Sequence, residues 1–95
     1  MKFILTALTL SAAIAGINAW TFNACGQIFD GTANKGCTHK SCNAGQHIEY
    51  DVGFLETCVL RLYSDTACKV ENGISSKDWD HTLGQHIAAF TIGDC

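Results

Sequence analysis

The sequence predicts a small all-β domain that is stabilised by disulfide bonds and built from two similar halves. Six cysteines occur in a chain of 95 residues, and one tetrapeptide occurs twice. Several short runs alternate between apolar and polar residues, with the two-residue period of β-strands. A single domain of this size buries only about 60% of its unfolded surface, so cross-links matter to its stability.

Residues 1–19 are predicted to be a secretory signal peptide. Lys2 precedes an apolar stretch over residues 3–17, and Ala19 is a small residue before the expected cleavage at Trp20. The stretch is shorter than the roughly 20 residues of a membrane-spanning helix, which favours a signal peptide over a membrane anchor. We therefore expect a secreted, extracellular domain over residues 20–95.

All six cysteines fall in this domain: Cys25, Cys37, Cys42, Cys58, Cys68 and Cys95. An even number of cysteines in a short secreted chain predicts three disulfide bridges. Metal ligation is the alternative use of cysteine. It is disfavoured because Cys37 and Cys42 are the one closely spaced pair, and no second such pair accompanies them.

Four strands are predicted along the domain. Trp20–Ala24 and His47–Val52 alternate, the segment 58–63 alternates after its first residues, and 87–92 is apolar with β-branched members. No window has a helical apolar stripe over three turns, so the class is all-β.

Turn residues separate these strands. Asn43-Ala44-Gly45 is one such group, and Asn72-Gly73 is the strongest hairpin-turn signal in the chain. The segment 77–83 is assigned one short helical turn.

The repeated tetrapeptide indicates an internal duplication. Gly45-Gln46-His47-Ile48 returns as Gly84-Gln85-His86-Ile87, 39 positions later, and each copy opens an alternating run. This predicts two halves over about 20–57 and 58–95. The same offset aligns Phe29 with Cys68 and Gly31 with Val70, and the two copies share between them the pattern aromatic, four residues, aromatic, one residue, glycine.

That pattern resembles the βγ-crystallin Greek-key motif. The resemblance covers residues 20–95 and implies a two-motif Greek-key β-sandwich. Each copy departs from the family pattern, since Ala24 stands where an aromatic residue is usual and Val70 where glycine is usual.

The Greek-key order makes one disulfide preferred. Because the fourth strand returns beside the first, the start of the strand 58–63 should lie near the end of the antiparallel segment 87–95. This pairs Cys58 with Cys95. The other four cysteines allow three connectivities, and the sequence does not choose between them.

The family resemblance implies calcium first among ligands. The matching positions are residues 42–47 and 81–86, and among them only Asn43 suits a cation that prefers oxygen ligands. The four histidines (His39, His47, His81 and His86) lack the spacing of a zinc site. We expect no metal and no cofactor.

The expected function is binding. Trp79, flanked by Asp78, Asp80 and His81 in a polar segment, is the candidate recognition aromatic, and the alternative is that Trp79 packs beneath its loop as part of the core. Catalytic residues are not assigned. Residues 20–95 have five basic and nine acidic residues, a net charge of −4 with neutral histidines, which disfavours a nucleic-acid partner.

The chain also resembles the small secreted cysteine-rich proteins of fungi. This implies a host-directed effector (virulence factor), a monomer whose partner is a host or competitor protein or a cell-surface component. An antimicrobial toxin is the first alternative, disfavoured by the acidic charge. A ribonuclease-like enzyme that uses His47, Glu49, Arg61 and His86 is the second.

Overall fold

The computed structural model describes residues 19–53 and 57–95. The predicted signal peptide lies outside the described residues except for Ala19. Within the described ranges the chain forms eight strands and no helix, which confirms the all-β class. The strands are β1 (Trp20–Ala24), β2 (Gln27–Gly31), β3 (Lys35–Cys42), β4 (His47–Val52), β5 (Val59–Tyr63), β6 (Glu71–Ser75), β7 (Trp79–Thr82) and β8 (Ile87–Gly93). The described part of the chain has no helix that could cross a membrane.

Two four-stranded antiparallel sheets form a β-sandwich. Sheet A has the order β2-β1-β4-β7 and sheet B the order β3-β8-β5-β6. The fourth strand of each half lies beside the first, as in a Greek key, but the third strand joins the sheet of the other half. The predicted disulfide-stabilised sandwich of two halves is therefore confirmed.

The core lies between the inner faces of the two sheets. Phe22 of sheet A and Phe90 of sheet B meet edge to face, with ring centroids 4.8 Å apart. Tyr50 is fully buried, and its hydroxyl donates a hydrogen bond to the carbonyl of Cys58 at 3.0 Å. The largest buried side chains are Trp20, Tyr50, Phe22, Phe90, Ile48, Leu60, Leu62, Ile87 and Ile92.

The three disulfides link segments that are distant in the sequence. Cys58 pairs with Cys95, the bridge preferred from the sequence, because Val59 and Gly93 are register partners on β5 and β8. The pairings that the sequence left open are Cys25–Cys42 and Cys37–Cys68. Cys25–Cys42 joins the end of β1 in sheet A to the end of β3 in sheet B.

The two halves differ at their first hairpin, so the fixed offset fails there. β1 and β2 are joined by the two residues Cys25 and Gly26, whose φ angles of 41° and 99° suit a tight hairpin turn. β5 and β6 are separated by the longer β5–β6 loop, residues 64–70. Cys68 and Val70 therefore lie in this loop and do not correspond structurally to Phe29 and Gly31.

Two local predictions were wrong. Asn72 and Gly73 lie inside β6 and form no turn. Gly73 pairs with Leu62 of β5 and lies so close to it that an added Cβ would come 3.1 Å from the leucine Cδ1. The segment 77–83 contains β7 and forms no helical turn. Because β7 is short and polar, its own sequence does not predict a strand, and its backbone hydrogen bonds come from pairing with β4.

The β5–β6 loop is fixed by one carboxylate and one bridge. Asp65 accepts hydrogen bonds from the backbone amides of Val70 at 2.9 Å and Lys69 at 3.0 Å. The Cys37–Cys68 bridge attaches the loop to β3, and His39 Nε2 donates to the Thr66 carbonyl at 3.0 Å. The amide of Val70, followed by that of Lys69, lowers the pKa of Asp65 below its ordinary value.

We expect Gly31→Ala to destabilise the protein by about 1–3 kcal/mol, because a Cβ at Gly31 would lie 3.0 Å from Cζ2 of the buried Trp20. Gly36→Ala is the matched control, since nothing lies within 4 Å of a Cβ at Gly36. Urea unfolding of the oxidised proteins measures both changes. Equal free energies of unfolding for the two variants would contradict the packing at Gly31.

We expect Asp65 to stabilise the fold at neutral pH and to lose this effect in acid. A carboxyl with a lowered pKa in the folded state stabilises above its unfolded pKa of about 4, and the contribution disappears as the pH falls through the folded value. The difference in unfolding midpoint between wild type and Asp65→Asn should thus shrink below about pH 4. A difference independent of pH from neutrality to strong acid would refute this role.

Candidate functional site

Trp79 and His81 lie on β7, an edge strand of sheet A. Their register partners on β4 are Tyr50 and Ile48, both fully buried, so Trp79 and His81 share the inner face of the sheet. Their rings stack, with centroids 4.7 Å apart and an angle of 16° between the planes. The two rings lie face to face at the edge of the core, so each covers part of the other, and the side of the stack turned to solvent is called here the Trp79–His81 surface.

Trp79 lies between the core and the solvent. The side chain is half-buried and packs against the core, as the core interpretation expected. It also lines a cleft that opens to solvent, as a recognition residue would. A half-buried aromatic at a cleft is held in place by the core and still offers apolar surface to a ligand.

The two flanking aspartates do not join this surface. Asp78 Oδ1 accepts a hydrogen bond from the backbone amide of Val52 at 2.8 Å and so fixes the start of β7 against the end of β4. Asp80 lies on the outer face of sheet A, where its carboxylate forms an ion pair with His47 Nε2. Of the four residues predicted as a binding group, Trp79 and His81 line the cleft, and Asp78 and Asp80 do not.

The cleft, called here the β7 cleft, lies between the edge of sheet A and strands of sheet B. Its volume is about 260 Å³. Leu62 and Ile87 form buried apolar walls, and polar side chains lie nearer the rim. The lining residues are Leu62, Asn72, Trp79, His81, Thr82, Leu83, Gly84, Gln85 and Ile87.

A disulfide present in the first half is missing from the second, and the cleft lies at that place. Cys25–Cys42 links the end of the first strand to the end of the third strand in the first half. In the second half the corresponding strand ends are those of β5 and β7. At the offset of 39 the counterparts of the two cysteines are Ser64 and His81, which cannot form such a bridge.

Hydrogen bonds hold the walls of the β7 cleft. Leu83 accepts a hydrogen bond from the amide of Gly45 at 2.7 Å and donates one to the carbonyl of Gln46 at 2.8 Å. The Asn72 side-chain amide donates to the carbonyl of His86 at 3.3 Å. These contacts join the two copies of the repeated segment to each other and to β6, so the cleft is formed before any ligand arrives.

The positions that match the calcium motif of βγ-crystallins do not suit calcium. His47 Nδ1 lies 3.4 Å from Thr82 Oγ1, and His86 Nδ1 lies 3.4 Å from Asn43 Oδ1. Imidazoles thus occupy these places in both halves, where a calcium ion needs several oxygen ligands. Within the described ranges no group of three or more His, Cys, Asp or Glu residues is arranged to hold a metal ion.

The residues proposed for a ribonuclease-like site are not brought together. His47 and Glu49 lie on the outer face of sheet A, where His47 pairs with Asp80. Arg61 lies on β5 of sheet B, with Nε 3.4 Å from Glu71 Oε1 and Nη2 3.5 Å from Asp94 Oδ2. A phosphate-binding arginine would have to act beside the acid and base, and Arg61 is on the other sheet.

Charge is divided unequally between the two sheets. The strands of sheet A contain no Lys or Arg and carry four carboxylates, those of Asp30, Glu49, Asp51 and Asp80. The strands of sheet B carry three basic residues, Lys35, Lys40 and Arg61, against one acidic residue, Glu71. The β7 edge therefore lies on the acidic side of the molecule, where anionic ligands are disfavoured.

Of the residues that line the cleft, Trp79 and His81 were predicted from the sequence, and Asn72, Leu83 and Gln85 were not. Gln85 belongs to the repeated tetrapeptide, which from the sequence indicates only an internal duplication. These three residues come from β6 and from the segment between β7 and β8, and only the packing of sheet A against sheet B brings them beside Trp79.

The chain is not similar to any protein with which it was compared. No protein-family model matches it, and neither the curated proteins nor the solved structures contain a match.

We expect the two tryptophans to differ in their access to solvent. Trp20 is 2% exposed and donates its indole N–H to the carbonyl of Ala33, whereas Trp79 is half-buried at an open cleft. Acrylamide should quench one component of the tryptophan fluorescence readily and the other weakly, and Trp79→Phe should remove the first. Emission that acrylamide quenches uniformly and weakly in the wild-type protein would show that the β7 cleft is closed.

Proposed function

We propose that this chain is a secreted binding domain of the βγ-crystallin-like Greek-key type, which recognises its target at the β7 cleft. The observation that carries the proposal is the stacked Trp79–His81 pair in a preformed cleft of about 260 Å³. Aromatic side chains with apolar walls and a few polar groups at the rim are typical of ligand sites. The dispersal of His47, Glu49 and Arg61 supports binding over ribonuclease catalysis.

The exchange of third strands between the halves supports the family resemblance, because it makes two Greek-key motifs into one interlocked domain. The tight turn at Cys25 and Gly26 departs from the folded hairpin of that family. Three disulfides favour an oxidising environment and so support secretion.

Of the biological roles, we propose a host-directed effector of fungal type that acts as a monomer on a cell-surface component. The acidic sheet A argues against the membrane-acting kind of antimicrobial toxin, since such toxins are commonly basic and are attracted to anionic lipid. A toxin that acts by binding a competitor's cell surface would use the same cleft.

We expect the oxidised protein to be retained by insoluble cell-surface material from plant tissue or from yeast in a sedimentation assay. His81→Ala should weaken retention severalfold, because it removes one cleft-lining ring and the ring that stacks on Trp79 and holds it in place. Lys77→Ala, an exposed change close to β7 but outside the cleft lining, is the control and should leave retention unchanged. Equal loss in both variants, or no retention of the wild type, would overturn the proposal.

The enzymatic alternative is tested in parallel. RNA incubated with wild-type protein should stay as intact as RNA incubated with a His47→Ala/Glu49→Ala double variant. RNA cleavage by the wild type that the double variant lacks would replace binding by ribonuclease activity.

A further inference from the structure

The residues that line the β7 cleft favour one chemical class of ligand. This inference rests on the proposed function, in which the β7 cleft is the binding site. Three properties of the cleft bear on the class: its aromatic surface, its polar groups and its surrounding charge.

The aromatic surface calls for a ligand with a flat apolar face. The rings of Trp79 and His81 are stacked in nearly parallel planes, at 16°, both residues line the cleft, and Leu62 and Ile87 close the inner wall. A ligand must cover these groups with C–H surface to gain from their removal from water.

The polar groups of the cleft are neutral and can both donate and accept hydrogen bonds. Asn72 and Gln85 offer amides, and Thr82 a hydroxyl. Among the described residues that line the cleft, none is Lys, Arg, Asp or Glu. Within the same ranges, the side chains of His81 and Gln85 make no hydrogen bond or ion pair with the protein. Such groups match hydroxyls or amides of a ligand, which themselves donate and accept.

The surrounding charge excludes an anion. No cationic side chain lines the cleft, and the strands of the adjoining sheet A carry four carboxylates without a Lys or Arg. An anionic group placed here would lose hydration without gaining an ion pair. A cationic group would also find no partner, because the described lining contains no Asp or Glu. The lining therefore favours a neutral ligand.

The volume of the β7 cleft limits how much of a ligand it can enclose. At about 260 Å³ the cleft is smaller than the roughly 300–1,000 Å³ of sites that enclose drug-sized molecules. It holds one ring of a longer molecule, and the rest extends along the open edge of β7.

We infer that the β7 cleft binds one residue of a neutral saccharide chain, whose C–H face lies on the Trp79–His81 surface and whose hydroxyls or acetamido group meet Asn72, Thr82 and Gln85. A pyranose ring combines one apolar face with a rim of hydroxyls, and this combination matches the lining in shape, polarity and charge.

The probes are soluble oligomers of β-1,4-N-acetylglucosamine, β-1,3-glucose and β-1,4-glucose, with oligogalacturonate as the anionic comparison. Trp79 fluorescence reports binding, because this tryptophan lines the cleft. At least one neutral oligomer should saturate the signal, and oligogalacturonate should not. The preferred oligomer distinguishes a chitin source from a glucan source. Saturation by oligogalacturonate alone, or by none of the four, overturns the inference.

Rim variants provide the structural control. Gln85→Ala should weaken binding of the preferred oligomer about fivefold, as the loss of one hydrogen bond of about 1 kcal/mol implies. Gln27→Ala, an exposed glutamine on β2 outside the cleft, should not change it. Trp79→Ala, which lacks the reporting tryptophan and is therefore measured by titration calorimetry, should abolish binding, and its urea midpoint shows whether folding is retained. Saccharide binding that Gln85→Ala and Trp79→Ala both leave intact would place the site elsewhere and overturn the inference.

Failure of this inference and failure of the proposed function give different results. Protein that is retained by cell-surface material through His81, and is not released by any neutral oligomer, binds there by other chemistry. Protein that is not retained at all has no such binding function.

Discussion

The hydrogen bonds of β3 with β8 and of β7 with β4 are the constraint on which the rest of this structure depends. Each joins the third strand of one half to the sheet of the other half, so neither half completes its own sheet. The aromatic core, which meets at Phe22 and Phe90, lies between the two sheets completed by these exchanges. A domain of this size has a small hydrophobic core. The exchanged strands and the three disulfides therefore supply stability that a larger protein gains from a larger core.

The departures from two-fold similarity give the molecule its candidate site. In the first half, a two-residue turn leads from β1 into β2, and the Cys25–Cys42 bridge links the two sheets at the end of β1. The second half has the seven-residue β5–β6 loop and no bridge between the ends of β5 and β7. Its loop is fastened elsewhere, to β3 through Cys37–Cys68, and this leaves the edge of β7 open beside Leu62 and Ile87. The cleft thus lies where the two similar halves differ.

The histidines illustrate how the same residue type can be structural at one position and available at another. His47 and His86, equivalent by the repeat, each lie near a side-chain oxygen of the other half, Thr82 and Asn43 respectively. These two contacts join the halves. His81 stacks instead on Trp79 in the open cleft. Tertiary position, and not residue type, separates these roles.

The sequence by itself determined the class, the division into halves, the three bridges with Cys58–Cys95 among them, and four strands, because alternation of apolar and polar residues is a local signal. Those four strands, β1, β4, β5 and β8, are the central ones of the two sheets. The four that were missed, β2, β3, β6 and β7, are the edges, and Lys35–Cys42, Glu71–Ser75 and Trp79–Thr82 are too polar and exposed to alternate clearly. Only the tertiary structure decided where these edges pair, how the other four cysteines connect, and that Asn72 and Gln85 lie beside Trp79. An edge strand takes its conformation from the neighbour that supplies its hydrogen bonds, and that neighbour is distant in the sequence.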